Sequence, residues 1–188
     1  MRVFLNPGHD RDYDSGAVNA DGTRECDIAW AVGLKVQEYL NAAGVETQIM
    51  QSDNLNWDSS YSDRQDASVC DSANNWPADI FVSIHCNAAN NVARGTEQEI
   101  YSLNGGNSQS LGQFIQNQIV NSLGTVDRGL KERPNLCVLK NTSMPAVLTE
   151  LAFIDNDEDC DLLKNHIDDF AAAIARGITD YEQAIFCN

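Results

Sequence analysis

Long apolar runs, basic residues, prolines and paired cysteines are all scarce in this sequence. No stretch approaches the about 18 apolar residues that a membrane-spanning helix needs, so no membrane span is expected. Met1 to Asn6 meets Pro7 at once, which leaves no room for the apolar segment of an export signal. Only 12 Lys and Arg stand against 28 Asp and Glu, and a formal charge of −16 repels polyphosphates, which argues against nucleic acid as a partner. The acids are scattered along the chain apart from Asp155 to Asp161, as on a solvated surface. The six cysteines (Cys26, Cys70, Cys86, Cys137, Cys160 and Cys187) contain no C-x-x-C pair. A zinc site built on thiolates is therefore disfavoured, and mostly reduced thiols are expected.

What is present is enough for one core. With 188 residues, 43% of them hydrophobic, and four prolines, the chain predicts one domain over residues 1–181, a short tail over 182–188, and a monomer. Arg2 to Asn6 predicts a first strand, closed by Pro7-Gly8 and followed by a polar loop from His9 to Thr23. Ile28, Val32, Val36 and Leu40 predict a helix with Thr23 as N-cap, Glu25 in its first turn and Gly44 at its end. Val45 to Met50 alternates as a half-exposed strand, and a helix is expected from Tyr61 to about Asn74.

Asp79 to Ile84 is nearly continuous apolar β-former, the pattern of a strand buried on both faces, and it delivers His85. Arg94 to Tyr101 predicts a more exposed strand, Leu111 to Leu123 a helix, and Leu136 to Leu139 a short strand. Ala146 to Thr149 forms a further strand ending at Glu150, and one helix from near Asn156 carries Leu163, Ile167, Phe170, Ile174, Ile178 and Tyr181. Strands alternating with helices predict an α/β fold, an open, mostly parallel twisted sheet with helices on both faces. Ligands bind such sheets at the carboxyl ends of the strands.

His9, His85 and Glu150 all fall at such ends. Each has an ordinary explanation alone, as a loop hydrogen-bonder, a satisfied core histidine or a strand-end acid. Together they point to a charge held between them, because a carboxylate beside a buried strand costs several kcal/mol when unpaired. A catalytic zinc supplies that charge and takes three ligands from His and carboxylate, leaving a position for water. Only three histidines exist, and His166 falls inside the last predicted helix, so His9 and His85 form the pair. Glu25, at the start of the helix after the His9 loop, is the best third ligand, although an acid there also complements the helix dipole.

The segments Asn6-Pro7-Gly8-His9, Ser15-Gly16-Ala17, Gly22-Thr23-Arg24-Glu25, Ser83-Ile84-His85-Cys86-Asn87-Ala88, Gly129-Leu130-Lys131 and Met144 through Leu151 come in the order and spacing of a known family. The chain resembles the zinc-dependent N-acetylmuramoyl-L-alanine amidases of the amidase-3 type, found in bacterial autolysins and phage endolysins. The sequence departs from the family at Asp10-Arg11, where a glycine pair is common, and at Cys26, where lysine is frequent.

The resemblance implies that His9, Glu25 and His85 bind Zn2+ and that Glu150 is the catalytic carboxylate. It implies peptidoglycan as substrate, cleavage of the amide between N-acetylmuramic acid and L-alanine, and action on the cell wall from outside, reached either by cytoplasmic synthesis and release without a signal peptide or by a longer chain whose signal is not part of this sequence. Two other readings compete: an inactive peptidoglycan-binding module of the same fold, and another zinc hydrolase, a peptidase or polysaccharide deacetylase, although H-E-x-x-H is absent.

Overall fold

A computed structural model describes residues 1–56 and 67–186. Along the chain run β1 (Arg2–Pro7), α1 (Glu25–Ala42), β2 (Glu46–Ile49), α2 (Val69–Asn75), β3 (Ile80–Asn87), β4 (Thr96–Ile100), α3 (Asn107–Leu123), β5 (Asp127–Glu132), α4 (Cys137–Lys140), β6 (Ala146–Phe153), α5 (Asp157–Asn165) and α6 (Ile167–Phe186). The sheet has the order β2-β1-β3-β6-β4-β5. β2, β1, β3 and β6 run parallel, β4 runs antiparallel to β6, and β5 runs parallel to β4. The expected α/β architecture is present. The two reversed strands bring their first residues, not their last, to the edge where β3 and β6 end.

The two sheet faces are covered unequally. Val3, Leu5, Val82, Ile84 and Val147 pack with Val32 of α1, Ile115 of α3 and Ile174 of α6 in one large core. On the other face Phe4, Phe81, Ala146 and Leu148 pack with Val69 of α2 and Val138 of α4. Side chains alternate along a strand, so His85 shares the second face with Phe81, and Glu150 shares it with Leu148. The short α2 and α4 cover the apolar half of that face.

Polar residues on the large-core side are satisfied. Thr149 Oγ1 donates to Gln98 Oε1 at 2.7 Å, Gln98 Nε2 donates to Gln116 Oε1 at 3.2 Å, and Gln116 Nε2 donates to the Thr96 carbonyl at 2.8 Å. A buried amide without such partners would cost about 1 to 3 kcal/mol.

Several expectations are corrected. β4 is buried throughout rather than exposed, because it lies between β6 and β5 and its Glu97, Gln98 and Glu99 all have partners. Leu136 to Leu139 is not a strand: Cys137 to Lys140 forms a helical turn, closed where Asn141 donates to the Cys137 carbonyl at 3.0 Å. A four-residue apolar run has no period to separate the two. Arg24, not Thr23, caps α1, since Thr23 is held in the preceding loop by Asp21 Oδ1 at 2.9 Å. α2 starts at Val69, capped by Ser68, and the expected helical residues 61–66 lie outside the described residues. The single last helix is two, α5 and α6, with His166 as the C-cap of α5, and α6 continues through residues 182–186. Gly44, at φ +80°, ends α1 as expected. Among the described residues no helix is long and apolar enough to cross a membrane.

Candidate metal centre

β1 ends at Pro7 and the chain turns at Gly8, whose N–H donates to the Ile84 carbonyl at 2.8 Å. His9 follows at φ +64°, a conformation that costs a non-glycine residue energy and is found at functional sites. The loop beyond folds back on itself: Asp10 and Asp14 exchange backbone hydrogen bonds at 2.8 and 3.0 Å. This places Asp14 Oδ2 2.7 Å from His9 Nδ1. With Asp14 as acceptor a proton sits on Nδ1, and Nε2 is left to face Glu25.

Glu25 is the first residue of α1 and is buried. Its Oε2 lies 3.1 Å from His9 Nε2 and accepts the Ala17 N–H at 2.9 Å. Its Oε1 lies 2.9 Å from His85 Nδ1 and accepts the Cys86 N–H at 3.0 Å. One donor atom from each of His9, Glu25 and His85 thus lies within 4.8 Å of the others. The two imidazoles meet edge to face, with centroids 5.0 Å apart.

Charge keeps the cluster together. Burial alone would raise the Glu25 pKa, but hydrogen bonds from His85 and His9 and their charges hold it well below the carboxylate range. Burial would lower the His9 pKa, but the hydrogen bond to Glu25, its charge and those of Asp14 raise it to about 9. A carboxylate held between two imidazoles in this way is a proton-filled version of a cation site.

Glu150 stands in the neighbouring strand, paired in register with His85 on one side and with Glu97 on the other. Its Oε2 is buried with no hydrogen-bond partner. Burial, then the charges of Glu25, Glu99 and Glu97, push its pKa well above the ordinary value, against the pull of Arg133. An orphaned buried carboxyl oxygen on a residue paired in register with His85 of a His-Glu-His set fits a cation-and-water chemistry. The residues present therefore suit a zinc ion: two nitrogens and one carboxylate, with an acid alongside.

All four sequence-predicted residues, His9, Glu25, His85 and Glu150, meet at one edge of the sheet. His166 is elsewhere, bonded to Asp169 Oδ2 at 2.8 Å. The buried Cys86 thiol, its pKa raised by burial, is not among the converging donors. Five cysteines (Cys26, Cys70, Cys86, Cys137 and Cys160) are free thiols, and Cys187 lies outside the described residues.

Sequence reasoning missed Asp14, Glu97, Glu99, Arg128 and Arg133. Asp14 had a signal, since it directly precedes the Ser15-Gly16-Ala17 segment. The two ion pairs, Arg128 to Glu97 at 2.7 Å and Arg133 to Glu99 at 3.1 Å, join strands distant in sequence and had none.

An open α/β sheet with two imidazoles, a buried carboxylate and a second, unpartnered acid at its strand ends defines a hydrolase domain of the metal-site class. The family described as N-acetylmuramoyl-L-alanine amidase matches residues 3–180, and the chain belongs to that family, of amidase-3 type. It is 38% identical over 182 residues to the uncharacterized protein YqiI of Bacillus subtilis, covering 95% of this chain and 84% of that protein. It is 34% identical over 183 residues to N-acetylmuramoyl-L-alanine amidase LytC of the same organism, covering 95% of this chain but only 35% of LytC. The fold matches amidase AmiC2 of Nostoc punctiforme with a TM-score of 0.84 at 28% identity, over 97% of each chain.

Proposed function

We propose that this chain hydrolyses the amide between the lactyl group of N-acetylmuramic acid and L-alanine of the peptidoglycan stem peptide, at the bacterial cell wall, with zinc held by His9, Glu25 and His85. The observation that carries the reading is the unpartnered Oε2 of Glu150 beside the His-Glu-His cluster. When bound, zinc supplies positive charge that polarises the scissile carbonyl, acidifies the attacking water and lowers the Glu150 pKa.

Glu150 takes a proton from the water and returns it to the leaving amine, acting as base and then acid. Its buried place beside Glu97 and Glu99 raises its pKa, and a cation held by the cluster would lower it, so the two act in opposite directions on the proton that is exchanged. Asp14 fixes the tautomer of His9, and the Cys86 and Ala17 N–H groups fix the two oxygens of Glu25. A binding module would gain nothing from an unpartnered acid whose burial costs stability.

Digestion of purified peptidoglycan with mass spectrometry of the products tests the reading. Free L-alanine amino termini on intact stem peptides are expected. Release of internal peptides, loss of acetyl groups, or binding without cleavage would assign a peptidase, a deacetylase or a binder instead.

A further inference from the structure

β4 and β5 run against β6, so Glu97 and Arg128 stand at the same sheet edge as Glu150, and Glu97 is paired with Glu150 directly. Arg128 is held there on two sides. Its Nε donates to Glu97 Oε2 at 2.7 Å, while Glu97 Oε1 accepts from Asn87 Nδ2 at 3.1 Å. Its Cζ sits 4.8 Å from the centroid of the Phe153 ring. Glu97 and Phe153 are 3% and 2% exposed, so the guanidinium rests on rigid supports.

Neither Nη nitrogen of Arg128 has a hydrogen-bond partner among the described residues, and the side chain is 34% exposed. Arg24, by contrast, spends two nitrogens on Asp27, and Arg133 spends Nη1 on the Glu132 carbonyl. A guanidinium fixed through Nε and one face, with both Nη groups open, is preorganised for a second planar acceptor. The side-chain ordering that usually opposes binding has already occurred.

The surroundings define what that acceptor is. Glu97, Glu99 and Glu150 line this edge of a chain with a net charge of −16, so an anionic peptide needs a dedicated cation to approach. Two strand spacings separate the β6 and β5 backbones, about 10 Å. That is the reach of two to three extended residues from the bond that Glu150 serves.

We propose that Arg128 docks a free carboxylate of the stem peptide, the α-carboxylate that a γ-linked D-glutamate leaves open at the second position, with Glu97 as its positioning residue. The inference rests on the amidase reading for the identity of the peptide. Glu97 neutralises one edge of the guanidinium and aims the other at substrate, and Phe153 keeps the plane from turning.

The test compares N-acetylmuramoyl-L-alanyl-D-glutamate, its γ-carboxyl blocked as the methylamide, with the α-amide of the same compound, using the zinc-loaded parent, R128Q and R128K. Values of kcat/KM are measured alongside calorimetric binding of the dipeptide L-alanyl-D-glutamate γ-methylamide and its α-amide. The parent should prefer the acid by about 10- to 100-fold, the range of a hydrogen bond to a charged group. R128Q should lose that preference through KM. R128K, which keeps a cation beside Glu97 and so preserves the fold if R128Q does not, should lose most of it for want of the fork. A parent indifferent to amidation, or either folded variant with the parent's preference, overturns the proposal. If the parent cleaves neither compound, the amidase reading fails, and dipeptide binding alone still decides whether Arg128 selects the carboxylate.

Discussion

Gly8 lies directly against the imidazole of His85: a Cβ at position 8 would stand 2.2 Å from Cε1 and 2.4 Å from Nε2. No side chain, however small, fits there without turning the ring. Gly16, at φ +65°, is confined in the same way by Glu25 and His9, with a Cβ position 2.6 Å from Glu25 Oε2. Two glycines thus set the distance between the imidazoles and their shared carboxylate.

Gly8→Ala is accordingly expected to lower zinc affinity by about tenfold or more while leaving the fold intact, as loss of a ligand's supporting contacts does. Metal titration against a fluorescent chelator, read beside circular dichroism, measures it. A variant that binds zinc as the parent does would show that the ring accommodates a methyl.

Glu150→Gln keeps the shape of the side chain and removes its proton transfer. Turnover is expected to fall by about 10² to 10⁴, with zinc content unchanged. Cleavage within about threefold of the parent rate would remove Glu150 from the mechanism.

His9→Ala and His85→Ala should lose metal and activity together, since two protein ligands hold zinc poorly. Asp14→Ala should be milder, with affinity down about 10- to 100-fold. Elemental analysis of protein purified without chelator should find about one zinc per chain in the parent. Parent protein free of divalent metal would contradict the site.

Burial, then the charge and hydrogen bond of Cys137, push the Cys70 thiol up to about 12. The unfolded chain releases this proton near the ordinary thiol value of 9.0, whereas the folded chain keeps it. The contribution to stability is therefore full below pH 9.0 and is lost as pH rises toward about 12. Cys70→Ala should show a shallower fall in melting temperature over that window than the parent. Equal slopes would place the thiol in water.

The site was legible because its residues break a pattern. His85 and Glu150 each follow an apolar run, and His9 follows Pro7-Gly8, so that position alone selected them, although β3 continues past His85 to Asn87 and β6 past Glu150 to Phe153 rather than ending there. β5 was not legible: Asp127 to Glu132 offers a single apolar residue, Leu130, and pairs at the sheet edge through its backbone. β4 looked exposed because Glu97 and Glu99 are acids, and the arginines that satisfy them come 31 and 34 residues later. Local sequence carries alternation and caps. It does not carry which distant charge will arrive opposite.

The buried chain from Thr149 through Gln98 to Gln116 has a role in alignment. Polar groups that must find one another in the core admit only one pairing of β4 with β6, and a slip of one residue would turn every side chain of β4 to the opposite face. Glu97 would then enter the core under α3, and Arg128 would lose the anchor that aims it. An amide ladder on the inert side of the sheet therefore works as a keyway for the working side, and its removal would be felt first in substrate choice.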